Sequence, residues 1–297
     1  MLSPSGNLRH AETDKMKTLR PYLIWFAVAV LLTIGAIFGM QWVRDHPEHF
    51  PGARFELAHP RGWATHGKLV ALANDDAACF AAFDRAEAGY LRRPPVGNGL
   101  CRASQRMILT GNRFAPTMRP AGAAPGCAVT AAMILWDRDV VQPLARKYFG
   151  QKVVELENLG SYNCRKIAGR EAQSEHSTAN AIDISAFILA DGTRITLIND
   201  WEPGDRRSEF LHAVRDETCG LFSTVLSPDH NAAHANHFHF DMAARTAWRN
   251  SLRRSPGSQS LISVTRVPSA RMKAEMSIAL AVECSLCASR PAILRQL

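Results

Sequence analysis

The sequence predicts an α+β domain on a small, mostly antiparallel sheet flanked by helices, preceded by one transmembrane helix. Three observations carry that expectation. Residues 22–40 form a run without a single charged side chain, and residues 128–149 place apolar side chains at helical spacing. The segments 152–158, 181–189, 193–198 and 235–242 then change to the shorter period of strands. Strands bracketed by helices, with a hairpin among them, suit an α+β layer.

The uncharged run, YLIWFAVAVLLTIGAIFGM, covers about 28 Å as a helix, close to the ~30 Å hydrocarbon core of a bilayer. Tyr22, Trp25 and Trp42 stand near its ends, at the level where amphipathic aromatics settle. Arg9, Lys15, Lys17 and Arg20 precede it and Arg44 follows closely. The bias of positive charge puts residues 1–21 in the cytoplasm, 22–43 in the membrane and the remainder outside. The run exceeds the 7–15 apolar residues of a cleaved signal and lacks its small-x-small site, so an uncleaved signal anchor is expected. The implied location is a single pass through an inner membrane, with the domain in the periplasm.

Residues 44–75 are polar and broken by His46-Pro47, Pro51-Gly52 and Pro60, and read as a linker. A helix is expected around Cys79 over about 76–90. Three prolines in 112–126 mark a loop. The longest helical pattern, 128–149, runs through Val129, Met133, Trp136, Val140, Leu144 and Tyr148; Pro143 should kink it and Gly150 end it. Asp191-Gly192 between two apolar runs is a hairpin signal, and 206–222 return to helical spacing. The domain is expected over 76–248, with a basic tail at 249–297.

Charge narrows the function. The chain carries +8, with 35 basic and 27 acidic residues, but residues 249–297 hold eight basic and two acidic groups, and 54–248 hold 22 and 21. The body is nearly neutral and carries no nucleic-acid motif, so no nucleic-acid partner is expected. Cys79, Cys101, Cys127, Cys164 and Cys219 are scattered without metal-like pairing and read as disulfide material in an exported domain, with Cys164–Cys219 the first pairing to expect. Cys284 and Cys287 make a lone C-x-x-C, a weak zinc signal.

In the last strand, alternation sends His237, His239 and Asp241 to one face and Phe238 and Phe240 to the other. Two imidazoles beside a carboxylate are costly to bury without partners, and a metal or a solvated cleft removes that cost. In SEHSTANAID (174–183), small residues let the chain turn closely between His176 and Asp183. A further ligand from another strand would complete a His2Asp set with an open fourth position, the form of a catalytic zinc site.

S-x-H-x-x-(G/A)-x-A-x-D followed by a strand ending in His-x-His resembles the zinc peptidase group of lysostaphin-type enzymes, D-Ala-D-Ala metallopeptidases and hedgehog domains. Over about 76–246 the chain resembles more closely the extensin-like C-terminal domain family. The matching segments are GCAVTAAMILWDRDVVQP (126–143), GSYNCR (160–165), SEHSTANAIDIS (174–185) and LSPDHNAAHANHFHFD (226–241). The wider group implies Zn2+ held by His176, Asp183 and His239. It implies that His237 assists proton transfer or steadies the tetrahedral intermediate, and that Arg165 contacts substrate or the oxyanion. No residue matches that group's glutamate base; Glu175, Asp229 and His234 are the alternatives. Ala179 stands where the carboxypeptidases have glycine, which requires a negative φ there.

The function this implies is zinc-dependent hydrolysis of an amide in peptidoglycan stem peptides or crosslinks, by a D-Ala-D-Ala carboxypeptidase- or endopeptidase-like enzyme. A non-catalytic wall-binding module that keeps the metal is the alternative. A non-haem iron oxygenase ranks below both, because its facial triad usually opens as His-x-Asp or His-x-Glu on one strand.

Overall fold

The structure is a computed structural model that describes residues 7–111, 116–202 and 204–244, with side chains from residue 19 onward. The tail at 249–297, with Cys284 and Cys287, lies outside the described residues. The first helix, α1 (Asn7–Asp45), contains a 27-residue stretch, Leu19–Asp45, of mean hydropathy 2.4 with none of its most apolar part buried. It is long and apolar enough to cross a membrane.

The body is α+β, as its periodicities predict. Six strands form a mixed sheet in the order β3 (Thr117–Arg119), β4 (Val153–Gly160), β5 (Ala181–Leu189), β8 (Phe238–Asp241), β7 (Thr224–Leu226), with β6 (Arg194–Thr196) on the far end of β5. Only β3 against β4 is parallel. A separate antiparallel pair joins β1 (Tyr90–Arg92) to β2 (Met107–Leu109). The β5–β6 hairpin turns at Asp191-Gly192, where Thr193 N–H donates to the Asp191 carboxylate.

Helix α4 (Cys127–Trp136) is buried along its whole length and packs under the sheet with α6 (Arg206–Thr218). Burial on all sides requires an apolar sequence throughout, and CAVTAAMILW meets that need. Trp136 donates its indole N–H to Thr218 Oγ1 at 2.7 Å, which satisfies the one polar atom of the largest core side chain. Phe187, Phe210, Phe238 and Phe240 fill the space between sheet and helices at ring separations of 5–7 Å. The phenylalanine face of β8 is thus spent on the core, and its other face is left for polar groups.

The fold corrects the sequence reading at the long helix, at the segment after the apolar helix and in the disulfide pairing. The break expected at Pro143 lies one turn earlier, in a π-helical segment (Asp137–Val141), and Pro143 sits in the first turn of α5 (Gln142–Phe149), where a missing N–H costs nothing. Gly150 ends α5 in the left-handed conformation, as its position suggests. Residues 44–75 are only in part a connector. Phe55, Leu57, Leu69 and Leu72 belong to the core, and Arg138 donates to the carbonyls of Leu57 and His59 at 2.7 and 2.8 Å, holding the segment to the π turn. Helix α2 (Thr65–Leu72) therefore begins the folded body before α3 (Asp76–Arg85) does. Finally, Cys164 bridges to Cys101 and not to Cys219, while Cys79 bridges to Cys127.

The π turn also buries a carboxyl. Burial pushes Asp137 up to about 7, against the opposing hydrogen bond from Gln142 and the charge of Arg146. The unfolded chain releases this proton near pH 4, whereas the folded chain keeps it to about 7. The stabilising contribution is therefore full below pH 4 and lost as pH rises toward 7, and three units correspond to at most about 4 kcal/mol. Asp137→Asn should remove this dependence. The variant's melting point should exceed wild type at pH 8 and converge with it near pH 4. A difference that does not change with pH would show that the carboxyl is ionised in the folded chain.

Candidate metal centre

Three segments converge at the polar face of β8. In the β5–β8 register Asp183 lies directly opposite His239, so the two side chains project from neighbouring positions on one face. The third comes from a 3-10 turn, Glu175–Thr178, on the loop before β5. Ser174 caps this turn by accepting from His176 N–H. At its far end Ala179 is left-handed, with φ 57 and ψ 21. The negative φ expected for alanine is therefore not found. Its N–H reaches the carbonyls of Glu175 and His176, and that closure turns the imidazole inward at a cost of about 1 kcal/mol relative to glycine.

The turn is stitched to the segment that carries Arg165. Asn163 N–H donates to the His176 carbonyl at 2.9 Å and Ser174 N–H to the Arg165 carbonyl at 3.0 Å. Ser177, fully buried, donates its hydroxyl to the Arg165 carbonyl at 2.8 Å and accepts from Arg165 N–H. GSYNCR and SEHSTA, separated by eight residues, thus form one surface.

The geometry at the centre is compact. His176 Nε2, His239 Nδ1 and Asp183 Oδ1 lie 3.0–3.1 Å from one another. His176 Nδ1 sits 2.9 Å from the Ser161 carbonyl, which can only accept, so Nδ1 carries the proton and Nε2 a lone pair. His239 Nε2 sits 3.2 Å from the Asp241 carboxylate, so it too carries a proton and Nδ1 a lone pair. Three lone-pair donors therefore face one another in a place where His176 is 3% exposed and His239 8%. Such a set is repulsive unless a cation or a proton sits among them. Nitrogen and oxygen ligands about 2.0–2.1 Å from a tetrahedral zinc stand about 3.3 Å apart, so the residues fit that ion with a small expansion. Ser161 and Asp241 are the outer partners that fix each ring's tautomer.

The local electrostatics agree. Burial opposes ionisation of Asp183, but with a proton among the three groups the adjacent His176 and His239 imidazoles prevail and hold its carboxyl well below the usual range. Burial also opposes a charged His239, yet its bonds to Asp183 and Asp241 raise it to about 9, so a proton competes for the place a cation would take. Asp241, deeply buried, is likewise held low by His239.

His237 stands beside the triad, its Nε2 3.7 Å from Asp183 Oδ1 and its Nδ1 2.8 Å from Asn236 Oδ1. Burial lowers its proton affinity; the neighbouring His239, His176 and Arg165 lower it further against the pull of Asp183. Arg165 is exposed at the rim, close enough for its charge to act on His237. Of the alternatives for a base, Asp229 is held by Arg215 and by the Trp201 indole at 2.8 Å, and Glu175 accepts from Asn180 at 2.6 Å. His234 is nearer the centre, with its ring 5.2 Å from His237 and 6.0 Å from His239. Burial, then the charges of His237, His239 and His230, lower it to about 4. Asp241 was visible in the sequence only as the third member of His-x-His-x-Asp. The Ser161 carbonyl and the packing of His234 have no sequence signal.

A second group, His46, Glu48 and His49, is also close enough to hold an ion. Its chemistry differs: Trp63 N–H donates to His49 Nδ1 at 3.2 Å, so His49 Nε2 carries a proton and points it at Glu48. That group is a hydrogen-bonded joint, with no convergence of lone pairs.

Residues 77–251 match the family described as extensin-like protein C-terminus. No curated protein and no solved structure matches the chain.

Proposed function

The chain belongs to the extensin-like protein C-terminus family, and from that premise and the triad we propose a zinc-dependent peptidoglycan peptidase, related to the lysostaphin and D-Ala-D-Ala metallopeptidase group. The observation that carries the reading is the convergence of three lone pairs within 3.1 Å of one another. His176, Asp183 and His239 would hold the ion. Zinc bound there supplies an activated water and a Lewis acid for a scissile carbonyl.

The chain's own groups have distinct tasks in this reading. His234, neutral at pH 7, donates Nδ1–H to Asn231 Oδ1 at 2.8 Å, which leaves Nε2 free to take a proton from the attacking water. His237, also kept neutral by burial, stands beside the centre to hold or pass a proton. Arg165 at the rim suits the carboxylate of a stem peptide or a developing oxyanion. Disulfides in the body, Cys79–Cys127 and Cys101–Cys164 among the described residues, support an oxidising compartment, and with α1 as anchor they favour an inner-membrane protein whose domain faces the periplasm.

One observation favours a wall-binding module that keeps the metal without catalysis: Glu175 and Asp229 both have partners elsewhere, so neither stands ready as a carboxylate base. A single experiment separates the two. The full chain in detergent is assayed for metal content, and wall muropeptides are analysed after incubation with and without chelator. Chelator-sensitive cleavage supports the peptidase. Stoichiometric zinc with no cleavage leaves the binding module, and iron with oxygen-dependent turnover would replace both.

A further inference from the structure

The end of the apolar helix and the body meet without a free tether. His46 N–H continues the helical bonding to the Trp42 carbonyl, and a short 3-10 turn, Pro47–His49, follows at once. This turn is clamped to the body. Ala64 N–H donates to the Glu48 carbonyl at 3.2 Å, and Lys68, itself buried, donates to the Pro47 carbonyl at 2.7 Å. Gly62 passes so close that a Cβ there would lie 2.5 Å from the Glu48 carbonyl oxygen. That approach leaves no room for any other residue.

An aromatic collar runs across the joint. Trp42 stacks on His49 at 5.7 Å and meets Phe50 edge-on at 5.8 Å, and His49 meets Trp63 at 4.8 Å. Trp63 belongs to the body, before α2, yet it is 83% exposed. A solitary exposed aromatic needs no explanation. This one continues, through His49, the aromatic end of the apolar helix, and tryptophan prefers the headgroup level of a bilayer to water.

We propose that Trp63 and the collar it completes lie in the headgroup layer of the membrane that α1 crosses, so that the body rests on the bilayer surface as one rigid piece with the helix. The inference depends on reading α1 as a membrane span.

The test uses the full chain in phosphatidylcholine/phosphatidylglycerol vesicles, with and without lipids brominated at shallow acyl positions. Wild type minus Trp63→Phe isolates the emission of Trp63. Docking predicts that this component is quenched about two-fold or more by the brominated lipids. Gly62→Ala, which forces the joint apart, should reduce that quenching while the chain still resists alkaline extraction. A chain retained by the vesicles whose Trp63 is not quenched, or whose quenching survives Gly62→Ala, overturns the docking alone. A chain that alkali extracts from the vesicles overturns both the docking and the span.

Discussion

Replacing His239 with alanine is expected to take bound metal from about one ion per chain to a trace, and any chelator-sensitive wall activity with it. The loss should exceed that of removing an outer partner. Asp241→Asn keeps all three inner donors and disturbs only the tautomer of His239, so it should weaken metal binding by about 10–100-fold. His176→Ala and Asp183→Ala should behave like His239→Ala, because each removes one corner of the 3 Å triangle. Metal analysis after dialysis against competing chelator checks the order. Retention of stoichiometric metal by His239→Ala would exclude this centre. Equal loss in Asp241→Asn and His239→Ala would show that Asp241 is itself a ligand.

Removing the Cys101–Cys164 bridge is expected to cost about 4 kcal/mol, the loop entropy of a closure spanning 63 residues. For a body of this size the melting point should fall by roughly 8–16 °C. The bridge has a second effect, because Cys164 adjoins Arg165 and the stitched surface that turns His176 inward. The double Cys101→Ser/Cys164→Ser variant should therefore bind metal more weakly as well. Cys79–Cys127, whose ends are 48 positions apart in sequence, ties α3 to the first residue of α4 in the core. Its removal should lower the melting point by a similar amount and leave metal affinity close to wild type once folded. Equal effects on metal from both bridges would show that general loosening, and not the local surface, is responsible.

Much of this architecture was legible because its signals are local. The alternation in FHFD assigns two phenylalanines to the core and His239 to the other face, and no tertiary knowledge is needed for that. Asp191-Gly192 specifies its hairpin through backbone conformation alone. The disulfide partners were not legible, since five cysteines allow many pairings and sequence distance says little about spatial distance. Nor was the burial of Phe55 and Leu57, which lie among prolines and polar residues and whose carbonyls are held by Arg85 and Arg138, residues distant in sequence. Ala179 misled for a related reason. Its own preference disfavours positive φ, but the bonds that close the His176 turn outweigh a penalty of about 1 kcal/mol.

By itself the sequence determined the apolar helix, the long helix after Cys127 and the strands that became β4, β5 and β8, all of which follow from composition and period acting over a few residues. It marked His176, Asp183 and His239 as a set able to share an ion only through their resemblance to the zinc peptidase group. Only the tertiary structure decided that three lone pairs point at one another, that Ser161 and Asp241 orient the rings, and that the first segment after the helix is clamped to the body. Hydrogen-bond direction and close approach at the triad depend on chain segments that meet across 15 to 63 residues, and no local pattern encodes that meeting.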